Sequence, residues 1–202
     1  MKPPERYANV PPLTTLSDAY FKEGQDEARK SLLGFLDGTH RSVVLIGGVG
    51  SGKTHMAAAT YFSFIAQDDM STGMQLEDGT IERFKRHMCF VNVPKFVADI
   101  KRGFGYSADE HRRVAEIEHL LDECRCVVLD DLGAERATDF SNEQLLLLVD
   151  GLYNRSSRVI VTTNVKMSVL AETGGARLVS RIAEGAKVTN VVTRDLRVGN
   201  GK

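Results

Sequence analysis

Ser42-Val43-Val44-Leu45-Ile46, running into Gly47-Gly48-Val49-Gly50-Ser51-Gly52-Lys53-Thr54, is the stretch that decides the fold. An apolar, β-branched run without polar alternation reads as a strand covered on both faces, as in a parallel sheet. The eight residues after it match G-x-x-x-x-G-K-[ST], and the apolar segment from Lys53 to about Gln67 has the length of a helix. Strand, glycine loop and helix in that order turn backbone amides inward around a phosphate, and the unpaired amides and positive dipole end of the helix add to the attraction. Gly48, Val49, Gly50, Ser51 and Gly52 are therefore candidate phosphate ligands. Lys53 would bridge the β- and γ-phosphates as a point charge, and the Thr54 hydroxyl would ligate Mg²⁺.

Working outward, Cys126-Val127-Val128-Leu129 ends in the paired carboxylates Asp130-Asp131. In a parallel sheet the end of such a strand lies beside the phosphate loop, so Asp130 can hold Mg²⁺ through water. Asp131 then faces the attacking water as general base or water-orienting group, although Asp is one methylene shorter than the Glu more usual there. A third strand, Val159-Ile160-Val161-Thr162-Thr163, delivers Asn164 to the same sheet edge. Taken alone, such an Asn reads as a turn residue or helix cap. Beside the other two motifs it reads as a sensor that hydrogen-bonds the γ-phosphate and the water.

Strand and helix alternate along the rest of the chain, which predicts a mostly parallel sheet between helices. Residues 1–15 contain Pro3, Pro4, Pro11 and Pro12 and read as an extended surface arm. Helical spacing predicts a first helix from Asp18 to about Leu36, and residues 68–86 read as a polar loop or small insertion. Met88–Val93 is a strand, Pro94 opens a short amphipathic helix, and a charged helix is predicted over 108–123. Asn142–Tyr153 and 176–184 are further helices, and 187–193 a terminal strand.

At 202 residues and 42% apolar, the chain can fill one core but hardly two. Lys and Arg total 26 against 27 Asp and Glu, so no overall basic excess points to nucleic acid, and any polyanion contact must be local. Apolar runs such as Met56–Ala66 fall short of the roughly 20 residues of a membrane span, and the start of the chain has no secretory leader pattern. Three cysteines do not make a disulfide framework and read as core or strand residues in a reducing cytoplasm. The five histidines lack metal spacing.

Together, the phosphate loop with His55 after it, Val-Val-Leu-Asp-Asp-Leu-Gly-Ala-Glu (127–135), Val-Ile-Val-Thr-Thr-Asn (159–164) and Arg-Leu-Val-Ser-Arg-Ile (177–182) carry a family likeness. They resemble the AAA+ domain of DnaC/DnaI-type helicase loaders and the related IstB transposition ATPases, over about residues 5–200. The resemblance implies a three-layer αβα P-loop NTPase of AAA+ type with a five-stranded, mostly parallel sheet, the domain spanning 16–202 after the 1–15 arm. It also implies a cytoplasmic ATP hydrolase, using ATP/ADP and Mg²⁺, that forms homo-oligomeric rings or spirals and acts on a replicative DNA helicase near single-stranded DNA. By position, Lys53, Thr54, Asp130 and Asp131 match the two Walker motifs and Asn164 the first sensor. Arg181 stands where the family places a trans-acting arginine finger. Arg177, four residues earlier, either shares that role or makes an ordinary surface ion pair. Arg197 resembles the second sensor, with Arg194 competing for the part. In the arm, Arg6-Tyr7-Ala8 resembles the segment over the adenine, so Tyr7 either stacks on the base or packs on the sheet.

For DNA contact the candidates are Lys85 and Arg86, Lys101-Arg102-Gly103-Phe104-Gly105-Tyr106, and Arg112-Arg113. Cations beside aromatics in a glycine-flexible loop suit backbone contact with base stacking, while Asp109, Glu110, Glu116 and Glu118 dilute the charge. Three other readings share the phosphate loop: a transposition helper, a small-molecule kinase, and a nucleotide-binding scaffold without turnover.

Overall fold

The computed structural model describes residues 1–68, 74–75, 81–82, 87–103, 124–193 and 195–196. Its sheet contains β1 (Ser42–Gly47), β4 (His87–Asn92), β5 (Cys124–Leu132), β6 (Arg158–Thr163) and β7 (Ala186–Val191) in the order β4-β5-β6-β1-β7. Every pairing in it is parallel. Two short strands, β2 (Met74–Gln75) and β3 (Ile81–Glu82), form a separate antiparallel pair. The helices are α1 (Asp26–Leu36), α2 (Lys53–Asp68), α3 (Val93–Gly103), α4 (Asp139–Asn154), α5 (Met167–Gly174) and α6 (Ala176–Ala183).

The unbroken apolar run in β1 has a simple cause: successive side chains point to opposite faces, and both faces are covered. Val43 and Leu45 pack with Leu32 and Phe35 of α1 and Met56 and Phe64 of α2. Val44 joins the other core with Val97 of α3, Leu145 and Leu148 of α4 and Leu178 of α6. The result is the expected three-layer α/β architecture with five parallel strands. Helix α4 starts on a capping box, in which Ser141 N–H donates to Thr138 Oγ1 at 3.1 Å and Thr138 N–H donates to Ser141 Oγ at 2.8 Å.

The structure corrects four local expectations. The first helix begins at Asp26 rather than Asp18, because Gly24 takes φ +84° against the carbonyl of Val192, and Asp18–Tyr20 forms a separate 3₁₀ turn. The arm is not merely extended: Glu5–Tyr7 and Leu13–Thr15 are 3₁₀ turns opened by Pro4 and Pro12, Leu13 is fully buried, and Thr14 N–H donates to Ser63 Oγ of α2 at 3.1 Å. Helix α5 (Met167–Gly174) is not among the helices expected from the sequence. Gly175, at φ +96°, separates it from α6. Finally, Cys89 and Cys124 form a disulfide between β4 and β5, with their Cα atoms 5.9 Å apart, next to a register shift after His87; Cys126 is buried and takes no part in that bond. The helix expected over 108–123 lies outside the described residues.

Candidate nucleotide site

Pairing of β1 with β6 sets Ile46 opposite Thr163, so the phosphate loop and Asn164 leave the sheet at the same edge. Lys53 is 4% exposed, and its ammonium donates to the carbonyls of Gly47 and Gly48 at 2.8 Å, to Ser51 Oγ at 3.2 Å and to Asn164 Oδ1 at 2.7 Å. These four acceptors are neutral oxygens, and a phosphate at the loop would add negative charge beside the buried cation.

Asp130 and Asp131 occupy different surroundings although they are adjacent. Asp130 sits opposite Asn92 in the β4–β5 pairing and is fully buried. Thr162 Oγ1 donates to its Oδ1 at 2.7 Å, and the side chains of Thr54 and Asn92 flank the same carboxyl, yet Oδ2 is buried with no hydrogen-bond partner among the described residues. Burial pushes the Asp130 carboxyl above the ordinary carboxylate range, against the pull of the Thr162 hydroxyl. Asp131 has φ +60°, at the register break between Leu129 and Leu132, and its N–H donates to Thr162 Oγ1 at 2.9 Å. This left-handed turn gives the two carboxylates different surroundings: Asp130 stays buried beside Thr162 and Thr54, and Asp131 lines the cleft.

That cleft has a volume of about 1460 Å³ and is bounded by Lys53, Thr54, His55, Asp131, Asn164, Tyr7, Tyr20, Gln25 and Leu196 among others. Tyr20 stacks on His55 with ring centroids 5.7 Å apart, and its Oη lies 2.6 Å from His55 Nε2. Tyr7 meets the same imidazole edge-on at 6.1 Å. Burial holds the His55 pKa below the usual histidine value, favouring the neutral ring at pH 7.

Three supporting residues escaped the sequence reading. Helical spacing extends the first helix over Tyr20, whereas the structure sets it in the 3₁₀ turn Asp18–Tyr20. Thr162 looked like one more strand residue, but its single hydroxyl serves both carboxylate-bearing residues. Gln25 is 5% exposed; its Nε2 donates to the Ser51 carbonyl at 2.8 Å while its Oε1 accepts from Lys22 N–H at 2.9 Å, bracing the loop from outside. Nothing in its local sequence marks it, since the contact spans from the start of α1 to the loop. From the other side, Leu196 N–H donates to the Gly50 carbonyl at 3.1 Å. Arg194 and Arg197, the candidates for the second sensor, lie outside the described residues.

Arg181 and Arg177 are not among the residues lining the cleft. Both are on α6, and both bond Asp150 of α4, at 3.2 and 2.6 Å respectively. Of the DNA candidates, Lys101 is exposed at the end of α3 and Arg102 and Gly103 close that helix. Lys85, Arg86, Phe104–Tyr106, Arg112 and Arg113 lie outside the described residues.

Residues 4–182 match the family model for IstB-like ATP binding proteins. The chain belongs to that family. Members of the IstB-like family are P-loop AAA+ ATP hydrolases, in accord with the Walker-type loop at the head of α2. Among solved structures, a DnaC helicase loader matches with a TM-score of 0.73 and 22% identity, over 94% of this chain and 100% of that one. A DnaI structure matches with a TM-score of 0.69 and 16% identity, over 95% and 93% of the two chains. The replication initiator DnaA bound to AMPPCP and single-stranded DNA matches with a TM-score of 0.67 and 16% identity, over 95% of this chain and 51% of that one. At these identities the likeness establishes the AAA+ fold. No curated protein sequence matches the chain. Among the described residues, no helix is long and apolar enough to cross a membrane.

Proposed function

We propose that this IstB-like ATPase assists the loading of a replicative DNA helicase onto single-stranded DNA, working as a homo-oligomeric ring or spiral whose shared sites hydrolyse ATP. The observation that carries the reading is the meeting of Lys53, Asn164 and Asp131 at one cleft while Arg181 stands elsewhere, on the α4–α6 face. Among the described residues no arginine lines the cleft, and Arg181 is presented on another surface, an arrangement that suits hydrolysis dependent on assembly.

In this reading Lys53 exchanges its carbonyl contacts for the β- and γ-phosphates, and Asn164 orients the γ-phosphate and the water. Asp131 accepts the proton of the attacking water. The orphaned, buried Oδ2 of Asp130 beside Thr54 fits a hydrated cation, so these two residues would hold Mg²⁺, which would supply charge neutralisation at the phosphates. Tyr7 and Tyr20 line the same cleft as the loop, which supports contact of their rings with the base.

The test is ATP turnover by the unmutated and Arg181→Ala proteins, with and without single-stranded DNA and a hexameric replicative helicase. Stimulation by the helicase that is lost in Arg181→Ala supports the proposal. Stimulation only by a transposase with its target DNA would instead support the transposition-helper reading, with which the family model is also compatible.

A further inference from the structure

We infer that Asp150 is the positioning residue for the arginine that one subunit offers to its neighbour, an inference that rests on the trans-acting role proposed for Arg181. Asp150 Oδ1 accepts from Arg181 Nε at 3.2 Å and its Oδ2 from Arg177 Nη2 at 2.6 Å. The Arg181 guanidinium carbon lies 4.0 Å from the centre of the Tyr153 ring, and the Tyr153 hydroxyl donates to both oxygens of Glu184 at 2.9 Å. Asp150 and Tyr153 are three residues apart on α4, and Arg177 and Arg181 four apart on α6, so each pair shares one helix face. The carboxylate bonds the guanidinium at Nε, and the ring lies against its central carbon.

An exposed arginine samples many rotamers, and a finger useful to a neighbour must be restricted to a few of them before the subunits meet. The side chains of Arg181 and Asp150 are 30% and 20% exposed, so this pair is less open to water than an ordinary surface salt bridge. Asp150 takes the Nε edge of Arg181, leaving the two terminal nitrogens outside that bond and suited to bidentate contact with phosphate oxygens. Two guanidinium groups share the single carboxylate, so the group keeps positive charge for an incoming anion.

The experiment is steady-state ATP hydrolysis by Asp150→Asn, Asp150→Glu, Arg181→Ala and the Asp150→Asn/Arg181→Ala double variant, at subunit concentrations from below to above assembly. Asp150→Asn is expected to lower the high-concentration kcat about 10-fold with KM for ATP changed less than about twofold. Asp150→Glu should recover most of the loss, and the double variant should be no slower than Arg181→Ala alone. If Arg181→Ala loses the plateau while Asp150→Asn keeps it, or if Asp150→Asn slows the Arg181→Ala background further, the positioning role is overturned. A plateau that survives Arg181→Ala, or a rate per subunit that never rises with concentration, overturns the finger reading and this inference with it. Should Asp150→Asn melt at a markedly lower temperature, Tyr153→Leu loosens the guanidinium from its other side and must show the same kcat loss. Full activity there overturns the inference.

Discussion

Lys53 and Asn164, 111 residues apart in the chain, are joined by a 2.7 Å hydrogen bond. The bond fixes the end of β6 to the head of α2 and places an amide next to the cation that would meet the γ-phosphate. Removing the amide should disturb the chemical step more than nucleotide uptake. Asn164→Ala is expected to lower kcat by about 10- to 100-fold with a small change in KM, whereas Lys53→Ala should abolish heat of ATP binding in calorimetry. Equal losses in binding for both variants would contradict this division of labour.

Asp131 is suited to a clean substitution. Its φ of +60° is one that Asn tolerates and most residues do not. Asp131→Asn should therefore melt within about 2 °C of the unmutated protein and still bind ATP, while phosphate release falls by about 100-fold or more. Unchanged release would identify another group as the base. In the unmutated protein, phosphate must appear without any added acceptor, since an obligatory acceptor would revive the kinase reading.

The buried Asp130 carboxyl carries a stability consequence with a definite sign. Its folded-state pKa is raised by burial, so its charge is unfavourable to folding above the ordinary carboxylate pKa, and the penalty disappears as pH falls below it. In chelator, Asp130→Asn should be more stable than the unmutated protein by about 1 kcal/mol at pH 7. The difference should shrink as the pH is lowered towards 4. The same variant should lose magnesium-dependent hydrolysis. Thermal melts in chelator across that pH range measure the first effect.

Two glycines with similar backbone angles should respond differently to alanine. Gly24 (φ +84°) would drive a Cβ to 1.8 Å from the Val192 carbonyl oxygen, whereas Gly38 (φ +90°) has nothing within 4 Å. Gly38→Ala should cost only the left-handed strain, about 1 kcal/mol, and Gly24→Ala considerably more, because the strap before α1 must part from the segment after β7. Denaturant unfolding of both variants gives the comparison. Equal costs would show that the strap is free to shift.

The architecture was legible in local order because each layer leaves its own chemical trace: buried strands as unbroken apolar runs, the phosphate loop as glycines before a lysine, the carboxylates at a strand end. Those traces depend on neighbours within a few residues, so Lys53, Thr54, Asp130, Asp131 and Asn164 could be named as candidates from the chain alone. The contacts that brace them could not. Gln25 against Ser51, Thr162 between two aspartates, Tyr20 on His55 and Asp150 beneath Arg181 join segments whose separation in sequence carries no period or spacing. The same holds for the first helix, where apolar periodicity ran on through a glycine whose conformation is set by a carbonyl nearly the whole chain away. Hydrophobic pattern decides which faces are buried. Only the folded chain decides which polar groups then meet, since a hydrogen bond between distant segments depends on where the sheet order has carried them.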